Sequence, residues 1–117
     1  MKDNKSVAKF MYDIIDSINA IHEFTKFETD FDAFVSSRLL TSAVERELQV
    51  IGEAVTKALK LDSTLPITEA QRIKATRNII VHDYDGINYR ILWDIVVNHL
   101  PVLKKEAESI LNNSKPA

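Results

Sequence analysis

The chain has 117 residues, of which 45% are hydrophobic and 27% charged, the range of one compact domain able to bury a sizeable core. It has no cysteine, which excludes a disulfide framework, a thiolate zinc site and a cysteine nucleophile, and points to the cytoplasm as its compartment. A net charge of -2 argues against a broad basic surface that grips long nucleic acid, so any RNA site has to be local.

Two glycines and three prolines are too few for a turn-rich β architecture, and the apolar residues fall at helical spacing. Ser6 is placed to cap a first helix whose Val7, Phe10, Met11, Ile14, Ile15, Ile18 and Ile21 form one stripe. Phe24 to Asp32 reads as a connection ending in an Asp cap. A long second helix follows from about Ala33 to Leu59, with a short break near Ser36 or Ser37 and a core stripe of Leu40, Val44, Leu48, Ile51, Val55 and Leu59. Arg46, Glu53 and Lys57 fall outside that stripe. Gly52, costly inside a helix, suggests close approach of a neighbouring helix.

Asp62, Ser63, Thr64 and Pro66 mark a stop. Thr68 and Gln71 have the form of a capping box and predict a third helix from Glu69 to about Val81, ending near His82. Asp85 and Gly86 lie in a turn; Ile87, Ile91, Ile95 and Leu103 then carry a fourth helix to about Leu111, with a kink or fresh start expected at Pro101. The expected architecture is all-α: an up-and-down four-helix bundle, with a fifth short helix if the second splits. Residues 1–111 form a single domain and 112–117 a frayed tail. No signal peptide or membrane span is expected.

Chemically able side chains concentrate at the end of the third helix, in Arg77-Asn78-Ile79-Ile80-Val81-His82-Asp83-Tyr84. Asn78 and His82, four apart, share a helix face, where the amide can orient the imidazole. Arg77 and His82 subtend about 140° on an ideal helix. They address one target only through the long Arg side chain, a local break such as the helix end expected at Asp83 to Gly86, or a symmetric partner chain. A guanidinium beside an imidazole suits a phosphodiester, the His moving protons and the Arg stabilising charge on phosphoryl oxygens without a metal. On RNA the 2′-hydroxyl can serve as nucleophile, which accounts for a site with no Ser, Cys or carboxylate pair.

Simpler roles stand beside these. Arg77 can be a surface residue paired with a carboxylate, His82 a cation at a helix C-terminus, and Tyr84 a half-buried aromatic with a wet hydroxyl. His22 and His99 read as surface or cap residues, and Trp93 as a packing or dimer residue, since one aromatic makes a poor single-strand track.

The Arg-x4-His-x-Tyr pattern of Arg77, His82 and Tyr84, with Asn78 directly after the Arg, resembles the signature of HepT-like toxins in the HEPN superfamily of helical ribonucleases. The bare Arg-x4-His pair is common by chance; the triplet is much rarer. Val50-Ile51-Gly52-Glu53-Ala54, Ile91-Leu92-Trp93 and His99-Leu100-Pro101 are also similar to segments of that family, in the same order. The resemblance implies a HEPN-like homodimer whose Arg77 and His82 form a metal-independent endoribonuclease site in a shared cleft, with no cofactor and a 2′,3′-cyclic phosphate product. It also implies a partner, an MNT-type nucleotidyltransferase antitoxin that silences the toxin by AMP transfer to Tyr84. Two other classes stay open: a non-enzymatic helical adaptor that partners a nucleotidyltransferase, and a nucleotide-binding carrier bundle.

Overall fold

The computed structural model describes residues 4–26, 30–82 and 88–113, with residues 4, 5 and 77–82 described by their backbone alone. Helix α1 runs from Asn4 to Thr25, α2 from Phe31 to Ser36, α3 from Arg38 to Leu61 and α4 from Ala70 to His82. A last helical run comprises α5 (Tyr89–Asp94), one π-helical turn (Ile95–His99) and α6 (Leu100–Asn113). No strand occurs among the described residues. The chain is an all-helical bundle of four long rods, α1, α3, α4 and the α5 to α6 run, with α2 as the short fifth helix.

Apolar periodicity explains how the rods pack. In α1, Val7, Met11, Ile14, Ile18 and Ile21 are buried, while Phe10 and Ile15 lie partly covered at the flanks of that stripe. Helix α3 is central: it packs against α1 on one side and α4 on the other, and α6 lies along α1. Leu40, Val44, Leu48, Ile51 and Val55 face the core as the spacing predicts, and Leu59 is partly buried against it. Gly52 is buried within this stripe, as a packing role requires. Losing the side chain of a fully buried residue such as Ile51 costs about 2–5 kcal/mol in cores of this kind.

Several boundaries differ from the sequence reading. The chain is already helical at Asn4, so Ser6 lies inside α1 and does not cap it. The cap before α2 is Asp30, not Asp32: its Oδ1 accepts from the Ala33 amide at 2.8 Å, and α2 starts at Phe31 so that Phe34 is fully buried. The break falls at Ser37, whose hydroxyl accepts from the Leu40 amide at 3.1 Å and starts α3. Thr68 and Gln71 form no capping box. The Thr68 amide and hydroxyl instead donate to Glu106 of α6, at 3.1 and 2.7 Å to Oε2. A carboxylate from a distant helix thus takes the place that Gln71 was expected to fill. Helix α6 continues to Asn113, past Leu111, and the rest of the expected tail lies outside the described residues.

Pro101 has the effect its chemistry demands. It offers no N–H, and its ring crowds the carbonyl four residues earlier, that of Val97. The π turn sits directly ahead of it, with the Leu100 N–H reaching back to the Ile95 carbonyl. Widening by one residue absorbs the crowding without stopping the helix.

Candidate functional site

Arg77, Asn78 and His82 all lie on the C-terminal half of α4. That helix is set in place by described residues of its first half. Ala70, Ile73 and Thr76 are buried, and the Thr76 hydroxyl is returned to the Arg72 carbonyl at 2.9 Å. Its start is fastened to the last helical run at two points, Thr68 to Glu106 and Glu69 to His99. Glu69 Oε2 is buried without a hydrogen bond of good geometry and faces His99 Nδ1 and, at 3.5 Å, Arg72 Nε. His99 Nε2 also meets Asp94 Oδ2 at 3.1 Å. His99 is therefore a tether between the start of α4 and the π turn, not the plain surface or cap residue expected.

α4 is regular through His82, which fixes the backbone relation of the motif residues. Asn78 and His82 share a face, one turn apart. α4 is unbroken between Arg77 and His82, and the helix break expected at Asp83 to Gly86 lies outside the described residues. Within this continuous stretch, what can unite the two residues is the length of the Arg side chain or a second copy of the chain. Tyr84 lies outside the described residues, as do Asp83, Asp85 and Gly86 of the expected turn. Description resumes at Asn88, whose Oδ1 caps α5 by accepting from the amides of Arg90 and Ile91 at 3.0 and 3.2 Å.

Two further groups of side chains reach the surface of the bundle. On α3, Arg46, Gln49, Val50 and Glu53 line an open depression of about 290 Å³. Glu53, outside the core stripe, is exposed and pairs with Lys57 at 2.8 Å.

The second group gathers α2, α3 and α5. The Tyr89 hydroxyl donates to Glu45 Oε2 at 3.4 Å. Burial pushes the Glu45 carboxyl above its usual range, and the Tyr89 hydrogen bond offsets this in part. Tyr89 is itself raised, by burial first and then by the Glu45 charge. Trp93 stacks on Phe34 at 4.9 Å between ring centroids, and the Arg90 guanidinium lies 4.2 Å from the centre of the Phe31 ring. Asp94 is held below the usual carboxylate range, most of all by the hydrogen bond from Asn98, then by His99.

Neither the Glu45 and Tyr89 pair nor the Glu69, His99 and Asp94 network was found from sequence. Their members lie up to 44 residues apart, and only Asp94, Asn98 and His99, at i, i+4 and i+5, carry a local signal.

Comparison with known proteins places the chain. The model of the family described as Ribonuclease HepT-like matches residues 14–110. Two Methanocaldococcus jannaschii proteins, each named as a candidate RNase, are 37% identical over 91% of this chain and 97% of theirs, and 40% identical over 93% and 90%. A Thermococcus cleftensis protein named as a candidate ribonuclease HepT is 32% identical over 91% of this chain and 96% of its own. No solved structure matches the chain. A family match that takes in all four long rods, and relatives alike over nearly their whole length, settle the assignment: the chain belongs to the HepT-like ribonuclease family of the HEPN superfamily.

Proposed function

We propose that this chain is a metal-independent endoribonuclease, the toxin of a HepT and MNT type pair, acting as a homodimer through Arg77 and His82. The observation that carries the reading is the Arg77-x4-His82-x-Tyr84 triplet on and just beyond α4, inside the segment matched by the family model. The ribonuclease names of relatives alike over nearly the full chain support the same class of reaction.

The chemistry follows from the residue types. The RNA 2′-oxygen attacks the adjacent phosphorus while an imidazole of His82 takes its proton. The bond from phosphorus to the 5′-oxygen breaks, and the imidazolium of the second His82 delivers a proton to that leaving oxygen. The products are a 2′,3′-cyclic phosphate and a 5′-hydroxyl. Arg77 neutralises charge building on the non-bridging oxygens, and Asn78, one turn before His82, orients the ring as a positioning residue. A symmetric dimer supplies both the proton acceptor and the proton donor, and it needs no helix break between Arg77 and His82.

Regulation follows the same logic. The Tyr84 hydroxyl attacks the α-phosphorus of ATP on the antitoxin, pyrophosphate leaves, and the resulting AMP ester sets a phosphate beside Arg77 that competes with substrate. The test is cleavage of single-stranded RNA in EDTA with analysis of the ends. Cyclic phosphate termini, and no cleavage of a strand carrying 2′-deoxyribose at the cut, are expected; strict dependence on added Mg²⁺ overturns the mechanism.

A further inference from the structure

Phe31, Arg90, Trp93, Asp94, Val97 and Asn98 line an open depression of about 210 Å³ on α5 and the π turn. Its walls combine features that rarely share one surface patch. The Arg90 guanidinium has one face on the Phe31 ring, is exposed, and makes no ion pair among the described residues. Trp93 is half-buried, one ring face spent on Phe34. Val97, 49% exposed, adds an apolar wall that nothing described covers. At the rim, Asp94 accepts from Asn98 at 2.6 Å and meets His99 at 3.1 Å. Each carboxylate oxygen keeps one lone pair open, and the Asn98 carbonyl is a further acceptor.

We propose that this depression is a nucleobase subsite for the RNA substrate, a reading that rests on the ribonuclease function proposed above. A planar base fits as a third layer on the Phe31 and Arg90 stack, against Trp93 and Val97, where the cation also offsets the charge of an adjoining phosphate. Asp94 and Asn98 present acceptors to the base edge. They favour an edge rich in N–H donors, guanine first, over uracil, whose flanking carbonyl oxygens a carboxylate repels. The location fits a substrate subsite. Arg90 stands in the first turn of α5, and the chain from His82 to Asn88 spans at most about 22 Å, the reach of a few nucleotides of single strand. Trp93, read from sequence as a lone aromatic, thus acquires the stacking partners that a base site needs.

Trp93 is the only tryptophan, so its emission reports on the depression directly. The probe is a set of 2′-O-methyl RNA hexamers, which lack the nucleophile and are not cut. Guanine-containing hexamers should quench Trp93 and bind about tenfold more tightly than an all-uracil hexamer; Arg90→Ala should weaken binding about tenfold, and Asp94→Asn should remove the base preference. Both positions are exposed, and melting curves should show the variants folded. On cleavable RNA, Arg90→Ala should raise KM and leave kcat near that of the parent, as for a contact made equally in ground and transition states. Binding and cleavage with no response of Trp93, or with Arg90→Ala unchanged, overturns the subsite and leaves the nuclease standing, with this face free to serve a protein partner. Quenching that Arg90→Ala relieves, in a protein that cuts no RNA, upholds the subsite and overturns the nuclease. Absence of both binding and cleavage overturns both.

Discussion

Glu106→Ala tests how α4 is held. In the structure this carboxylate receives the Thr68 hydroxyl at 2.7 Å and the Thr68 amide at 3.1 Å, just before the first turn of α4. Charge-assisted hydrogen bonds contribute about 1.5–3 kcal/mol where they are shielded, and loss of a helix cap costs about 1 kcal/mol. Thr68 is exposed, so solvent reduces the first figure toward the second. Glu106→Ala should therefore lose about 1 kcal/mol, which for 117 residues is a fall in Tm of about 4 °C. Gln71→Ala should stay within about 0.3 kcal/mol of the parent, because Gln71 does not cap. The measurement is thermal unfolding followed by circular dichroism, with Thr68→Val completing a double-mutant cycle whose coupling energy should approach the Glu106 effect. If Gln71→Ala costs as much as Glu106→Ala, or if the Thr68 and Glu106 effects add without coupling, the local capping box holds α4 and the long-range assignment is wrong.

His82→Ala should lower the RNA cleavage rate by about two to four powers of ten, and Arg77→Ala by a similar factor, with melting curves unchanged; normal cutting by either variant refutes its assignment. Tyr84→Phe should keep nuclease activity but gain no AMP mass in the presence of ATP and the antitoxin, and modification at another residue would count against the proposed acceptor. Glu45 binds its proton more tightly folded than unfolded, so its contribution to stability is present below the unfolded pKa and is lost as pH rises through the folded one. Glu45→Gln, which keeps an acceptor for Tyr89, should accordingly gain on the parent as pH rises from about 4 to neutrality; a constant difference across that range in chemical denaturation would refute the burial argument. Ile73→Ala, which empties a buried site on α4, should cost about 2–5 kcal/mol and loosen the helix that carries the motif, read as faster amide exchange in α4 than in α1.

What the sequence revealed and what it hid divide by range. The stripe from Val7 to Ile21 and that from Leu40 to Val55 are repeated local patterns, each residue confirming its neighbours, and the helices they predict are present. Single-residue signals were weaker. Asp30 and Asp32 have the same capping chemistry, and burying Phe34 decides between them through tertiary packing. Thr68 carried a sound local signal that lost to a carboxylate 38 residues away. His99 offered no partner at ligand spacing, and the one that defines its role, Glu69, becomes visible only when α4 and the last run are packed together. At the candidate site, the motif and its helix were legible because they are local. The stack of Arg90 on Phe31 was not, because it joins α2 to α5 across about half of the chain.

The regular backbone of α4 bears on the proposed dimer. A break between Arg77 and His82 would have let one chain gather both side chains on one face, with a second copy adding nothing essential. With the helix continuous to His82, the two residues diverge by about 140° around its axis. Within that continuous helix the pair can meet by the reach of the Arg side chain in one copy, or by two copies whose α4 ends face each other, each His82 set opposite the Arg77 of its neighbour. These make opposite demands on a mixed dimer. If reach within one chain suffices and its single His82 serves as both proton acceptor and donor, a dimer of one parent chain and one chain carrying both Arg77→Ala and His82→Ala keeps an intact pair and retains about half the activity. That result would also overturn the use of two His82 imidazoles. If the copies complement each other, that dimer falls to the level of the double variant, whereas a mixture of the two single variants, Arg77→Ala with His82→Ala, recovers part of it. Assaying both mixtures at fixed total protein decides between the arrangements, and half activity from the first mixture with none recovered from the second would refute the shared cleft.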